Sequence, residues 1–428
     1  MGRWGMARAT AVGIVAALAM SGCADGGKDD GGSKPVAKHG ARLTAEPTTA
    51  PADEHVGARL SGLGSRTRVV VEARATDRGG HPWTAELTRT ADRGGRVDLT
   101  KDTAGLLSGL RPTGGAAAKL RGSGTTFSYH PGPPGTQRSY KVRLTATALS
   151  GKYKGRRLAA RTLTREWLTK GTTHRELTVK KDKVAGDLYL PAKGSASGSG
   201  SGSGSGREKA PVLVFGGSEG GNAGTYTAAL LASHGHPAMS VCYFRCGSGS
   251  GRPNAIDMID LDYFTHAGRI LRAQDGADPS RLTVLGNSRG SEAAQLLGQR
   301  RPSVFRNVVA YAPSSKVNGP YRGGTVAWAD HGKPIPTGPI PLNHVRGTVL
   351  AVAGGNDKMW GSAASARDMA ARGAKKLVYP DAGHHVNWFP LGQPGEEGGR
   401  NGAVSATAKA DQAARADSWP EVRKLLER

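Results

Sequence analysis

The sequence predicts an α/β fold for its C-terminal half, a parallel sheet with helices on both faces, preceded by a small all-β sandwich domain. Three observations predict it. After Pro211, apolar runs of strand length alternate with stretches of helical length. Before about residue 165, apolar residues come instead in short alternating or β-branched stretches punctuated by Gly, Asp and Pro. The 428 residues also exceed what one hydrophobic core usually organises, so two domains behind an N-terminal address segment are expected.

At the N-terminus, Arg3 and Arg8 precede an apolar run from Ala9 to Met20, too short for a stable bilayer-spanning helix and followed at once by Ser21-Gly22-Cys23. The reading is a secretory leader over residues 1–23. Small residues before a cysteine resemble a bacterial lipobox, in which Cys23 is lipidated and anchors an extracytoplasmic protein to the membrane; ordinary cleavage with Cys23 as a bystander is the alternative. Residues 24–52, rich in Asp, Gly, Lys, Pro, Thr and Ala, lack the apolar area to fold and read as a disordered tether.

Residues 53–170 are expected to form the sandwich, with strands in Thr67–Ala73, Trp83–Leu87 and Tyr140–Thr147. No catalytic cluster stands out there, and His81 and His130 read as ordinary surface or packing residues. Residues 171–428 form the catalytic domain. The Gly-Ser run at 194–206 lies between two strand-like stretches, Val184–Pro191 and Ala210–Phe215, and is placed as a flexible loop inside that domain.

Within it the order is a buried strand at Val212–Phe215, a helix at Thr225–Gly235, a strand at Pro237–Phe244, a helix at Leu261–Gln274, a strand at Leu282–Leu285, and a helix from about Gly290. Cys242 and Cys246, in an oxidising space, would form a local disulfide or remain two buried thiols. No second pair completes a metal site, and neither metal nor other cofactor is expected.

Gly286-Asn287-Ser288-Arg289-Gly290 matches G-x-S-x-G between a predicted strand and a predicted helix. There the motif has mechanical meaning. Glycines two residues either side let the chain bend so that Ser288 projects above the sheet edge, as in an α/β-hydrolase nucleophile elbow. The amide of Arg289, at the helix N-terminus, can stabilise an oxyanion. A serine needs a base oriented by an acid, following in the order Ser, acid, His. Asp357, after the strand from Thr348, is the expected acid and His384 the expected base; Asp381 and His385 are the alternatives. His234, His236 and His266 precede the serine and read as solvated or capping residues. Gly216-Gly217-Ser218-Glu219-Gly220-Gly221 should supply the second oxyanion donor through the amide of Ser218 or Glu219. A phosphate-cradling loop is the competing reading, but no lysine follows in register.

The formal net charge of +25 raises the question of a polyanionic partner. Lys and Arg are spread over the chain without a zinc-finger spacing, helix-turn-helix cue or aromatic nucleic-acid-binding stretch, so no nucleic-acid partner is expected. Attraction to an anionic envelope or to substrate phosphates fits better.

With these residues placed, the chain resembles the acyl-CoA thioester hydrolase and bile acid-CoA:amino acid N-acyltransferase family over nearly everything after residue 53. Gly94-Gly-Arg-Val-Asp-Leu and Leu107-Ser-Gly-Leu-Arg-Pro look like that family's N-terminal β-domain. Leu261-Asp-Tyr-Phe-Thr-His-Ala, Asn356-Asp357-Lys-Met-Trp360, Tyr379-Pro-Asp-Ala-Gly-His384 and Asp417-Ser418-Trp419 also follow its pattern. The resemblance implies transfer of an acyl group from a thioester to the nucleophile and then to water or, in the transferase branch, to an amine. That branch usually has a cysteine nucleophile, so Ser288 favours hydrolysis of a small-molecule acyl thioester or ester. His385-Val-Asn-Trp388 and the Gly-Ser insertion depart from the pattern, and an exported protein would meet little coenzyme A. A rival from another class is a non-catalytic lipoprotein that binds the envelope through its basic surface.

Overall fold

The computed structural model describes residues 40–77, 79–113, 137–193, 208–387 and 405–428. Cys23, the Gly-Ser run and Trp388 lie outside them. The N-terminal part is a two-layer β-structure. One sheet has six strands in the spatial order Thr49–Pro51, Arg157–Glu166, Ser139–Ala148, Arg68–Thr76, Pro82–Thr90 and Arg111–Pro112; the other has three, Arg42–Glu46, Gly57–Ser61 and Val97–Asp98. Val69, Val71, Ala73, Val142, Leu144 and Ala146 alternate inward along paired strands and meet Leu43, Ala58 and Leu60 in one core.

The sandwich begins earlier than composition suggested. Residues 42–46 and 49–51, expected in the tether, are strands. Leu43, Ala45, Ala50 and Ala52 are buried there while their neighbours are more exposed. Three of those four are alanines, whose small apolar area is hard to see in a Pro/Thr/Ala-rich composition, although the period-2 alternation is present.

The C-terminal part is built on an eight-stranded sheet. We number its strands β1 Thr173–Leu177, β2 Ala185–Leu190, β3 Val212–Phe215, β4 Ala238–Cys242, β5 Thr283–Asn287, β6 Asn307–Tyr311, β7 Val349–Gly354 and β8 Lys375–Tyr379. Their spatial order is 1-2-4-3-5-6-7-8, with β2 antiparallel to both neighbours and β3 to β8 parallel. This is the α/β-hydrolase order. Five helices concern the site or its support: α1 Thr225–Ser233, α2 Leu261–Arg272, α3 Arg289–Arg300, α4 Ser362–Ala371 and α5 Ala406–Glu427. β3, β4, β6 and β7 are buried along their whole length and, Ser240 and Asn307 apart, apolar, because helices cover both faces. Among the described residues, no helix is long and apolar enough to cross a membrane.

The two layered parts share side chains. Trp167, fully buried, stacks on Tyr140 of the sandwich at 4.9 Å and meets Tyr226 of α1 at 4.5 Å. Nearby, Asp53 accepts from His234 at 2.7 Å and from the Trp419 indole of α5 at 2.8 Å.

Candidate active site

β5 delivers Ser288 at its carboxyl end, where parallel sheets of this type carry their functional loops. Ser288 has φ 53° and ψ −121°, a strained backbone for a residue with a side chain. The flanking glycines make that turn possible by close approach: a Cβ on Gly286 would lie 2.3 Å from the Gly290 carbonyl oxygen, and one on Gly290 would lie 2.2 Å from that of Gly216. The Ser288 amide donates to the Tyr311 carbonyl of β6 at 2.9 Å, pinning the turn to the sheet.

Asp357 and His384 come from the loops after β7 and β8. These loops touch: Asn356 N–H donates to the Ala382 carbonyl at 2.8 Å, and a Cβ on Gly354 would lie 2.0 Å from the Gly383 oxygen. His384 Nε2 lies 3.0 Å from Ser288 Oγ, and its Nδ1 lies 2.8 Å from Asp357 Oδ2. The other Asp357 oxygen accepts the amides of Met359 at 2.9 Å and Trp360 at 3.3 Å. Burial pushes the Asp357 carboxyl up, but the hydrogen bond and charge of His384 outweigh it and hold the group below the usual carboxylate range. Trp360 donates from its indole to the Ala312 carbonyl at 3.0 Å and sets its ring edge-on to His384, which restricts the imidazole. Asp381 and His385, the alternatives in sequence, are both exposed, and the serine is reached by His384 instead.

The Gly216–Gly221 loop follows β3 and faces the serine: a Cβ on Gly217 would lie 2.7 Å from Ser288 Cβ. Gly217 N–H donates to Glu219 Oε1 at 2.9 Å. Ser218 N–H, like Arg289 N–H at the start of α3, has no intramolecular acceptor among the described residues. A free amide on each side of the serine is the arrangement that can receive an oxyanion.

Several supporting groups were not foreseen. Tyr243 donates its hydroxyl to the carbonyls of Gly216 at 3.2 Å and Gly217 at 3.1 Å. Of the two readings offered for Cys242 and Cys246, the disulfide is the one found, and it closes the segment that carries Tyr243. Glu292, fully buried on α3, binds Arg289 at 3.0 Å, the Trp328 indole at 2.9 Å and Asn318 at 2.8 Å. Burial pushes the Glu292 carboxyl up against the opposing charge of Arg289. The signal available in sequence was a glutamate one helical turn from an arginine on a face otherwise apolar.

The other histidines do not join the serine. His234 caps α1, as expected, and also bridges to Asp53. His236 corrects the expectation of a solvated residue: it is buried between the Ala210 carbonyl, at 2.9 Å, and Glu427 on α5, at 3.2 Å. His266 reaches the Asp182 carbonyl at 3.0 Å. Asp53, Glu54 and His234 lie close enough to hold a cation. Arg423 already supplies positive charge there, 3.0 Å from Glu54 and 3.1 Å from His234.

Residues 53–179 match the family described as "Acyl-CoA thioester hydrolase/BAAT N-terminal region". The chain is 24% identical to the mitochondrial acyl-coenzyme A thioesterase 2 of Rattus norvegicus, over 92% of this chain and 90% of that protein. It is likewise 24% identical to acyl-coenzyme A amino acid N-acyltransferase 2 of Mus musculus, over 90% of this chain and 97% of that protein. Among solved structures, an α/β hydrolase enzyme from a Medee basin deep-sea metagenome library matches 61% of this chain and all of its own, at 13% identity and a TM-score of 0.39.

Proposed function

We propose that this chain, which carries the N-terminal region of the acyl-CoA thioester hydrolase family and resembles its thioesterases and N-acyltransferases along most of its length, is an enzyme that hydrolyses acyl thioesters or esters through Ser288. The observation that carries the reading is the continuous hydrogen-bonded line from Asp357 through His384 to Ser288, at 2.8 and 3.0 Å. Those separations lie within the reach of a general base and its orienting acid.

Ser288 Oγ attacks the acyl carbonyl carbon while His384 Nε2 takes the hydroxyl proton. The carbonyl electron pair moves onto oxygen, which the Ser218 and Arg289 amides receive. Asp357 holds the imidazole in the tautomer that presents Nε2 as acceptor and stabilises the imidazolium that forms. Collapse expels the thiolate or alkoxide, which takes the proton from His384 and leaves an acyl-serine. Water then attacks with the same base, and the carboxylic acid departs. An amine entering in place of water would give the amide; serine as the nucleophile favours water. Export and a lipid anchor at Cys23 belong to the same reading, and they make an extracytoplasmic ester or thioester the better substrate class. Basic residues spread over the surface suit an anionic envelope.

A panel of p-nitrophenyl esters and acyl-CoAs tests the reaction. Turnover abolished by Ser288→Ala is expected; no turnover of any acyl substrate, with salt-sensitive envelope binding, would favour a pure binding protein. Metabolic labelling with an alkyne fatty acid should be lost on Cys23→Ala, and unchanged labelling would remove the anchor.

A further inference from the structure

We infer that the Glu219 carboxylate is the positioning residue of the oxyanion loop, tying back the Gly217 amide so that the Ser218 N–H is turned toward the reacting carbonyl. The inference deepens the serine hydrolase reading and rests on it.

The geometry is a side chain folded back on its own loop. Glu219 Oε1 accepts Gly217 N–H at 2.9 Å. The carboxylate lies flat on two glycines. A Cβ at Gly216 would come within 2.2 Å of Oε1, and one at Gly217 within 3.1 Å of Oε2. The glycines therefore leave room for this carboxylate. The carbonyls are fixed from the other side: Tyr243 holds those of Gly216 and Gly217, and Arg245 donates to that of Glu219 at 3.2 Å. Gly221 N–H donates to the Phe244 carbonyl at 3.0 Å. Beside the tied Gly217 amide, the loop leaves Ser218 N–H without an intramolecular acceptor among the described residues. A backbone amide is normally paired, so one left open beside the serine marks a place kept for a ligand oxygen.

Glu219 does not touch the reacting atoms and acts through the amide it ties back.

The test compares Glu219→Gln, which keeps an oxygen acceptor, with Glu219→Ala, which removes it, in the full chain. In Glu219→Ala, kcat for p-nitrophenyl acetate should fall ~10²-fold with KM little changed, because the open amide is no longer aimed, while Glu219→Gln should rescue kcat to near the parent's. If Glu219→Ala fails to fold, Glu219→Met, which keeps the bulk and lacks the oxygen acceptor, takes its place. A parental kcat in the variant without the acceptor, or an equal fall in Glu219→Gln, overturns the inference. Ser288→Ala in the same series separates the two claims: if it still turns over ester, the nucleophile reading falls; if it is inactive while Glu219→Ala matches the parent, only the role of Glu219 falls.

Discussion

Gly217→Ala adds one methyl group where the account leaves no room for it. A Cβ there stands 2.7 Å from Ser288 Cβ, 2.8 Å from the Asn287 carbonyl oxygen and 3.1 Å from Glu219 Oε2. Non-bonded carbons rest at about 3.5–4.0 Å, so the gap between the Gly216–Gly221 loop and the Ser288 turn must open by roughly 1 Å. The turn cannot yield cheaply. Its amide is bonded to Tyr311, and Gly290 sits against the Gly216 carbonyl. The displacement therefore falls on the distance between Ser218 N–H and the carbon under attack. A misplacement of about 1 Å can cost 10²-fold in rate, while overpacking of this kind costs about 1–3 kcal/mol of stability. Initial-rate kinetics with p-nitrophenyl acetate, alongside a thermal melt, should show kcat/KM down ~10²-fold in a folded protein. Gly105→Ala, where an added Cβ meets nothing within 4 Å, is the control and should behave as the parent. Parental turnover by Gly217→Ala at an unchanged Tm would refute the reasoning.

Asp357→Asn should lower kcat by about 10⁴-fold with the fold intact, the loss typical when the orienting acid of a Ser-His-Asp triad is neutralised; a tenfold change or less in steady-state kinetics would remove Asp357 from that role. Trp167→Ala should cost about 3–5 kcal/mol in urea unfolding, since the side chain is fully buried between the sandwich and α1. A loss below about 1 kcal/mol would show that the two layered parts do not depend on it. Glu427 on α5 is lowered to about 2, by its hydrogen bond to His236, against burial, and by Lys209. A depressed carboxylate stabilises the fold above its unfolded value, about 4.3, and that contribution is lost as pH falls toward 2. The Tm deficit of Glu427→Gln should therefore be present at pH 7 and shrink toward pH 3; a deficit constant with pH would contradict the assignment.

How much was legible in the sequence depended on whether the signal was local. The elbow was, because a buried strand, two glycines and a helix start all lie within a short stretch around Ser288. β3, β4, β5 and β7 were legible for the same reason, each being a short and mostly apolar run, whereas β6 and the spatial order of the sheet, which joins segments far apart in the chain, were not read. Asp357 and His384 could be named from chain order and strand ends, but only the meeting of the β7 and β8 loops separates them from Asp381 and His385. Strands Arg42–Glu46 and Thr49–Pro51 were missed because alanines carried their inward face. Glu219 was read for its amide, because nothing in Gly-Gly-Ser-Glu-Gly-Gly reveals that the side chain folds back onto Gly217. The network of Glu292, Arg289, Trp328 and Asn318 joins residues from separate segments, and no local pattern could assemble it.

The central claim is that Ser288 is the activated nucleophile. A fluorophosphonate probe on the full-length protein, followed by digestion and peptide mass mapping, addresses it most directly. One adduct on the peptide containing Ser288, absent in Ser288→Ala and strongly slowed in His384→Ala, is the predicted result. Equal labelling of Ser288→Ala and the parent, or an adduct on another serine alone, would contradict it.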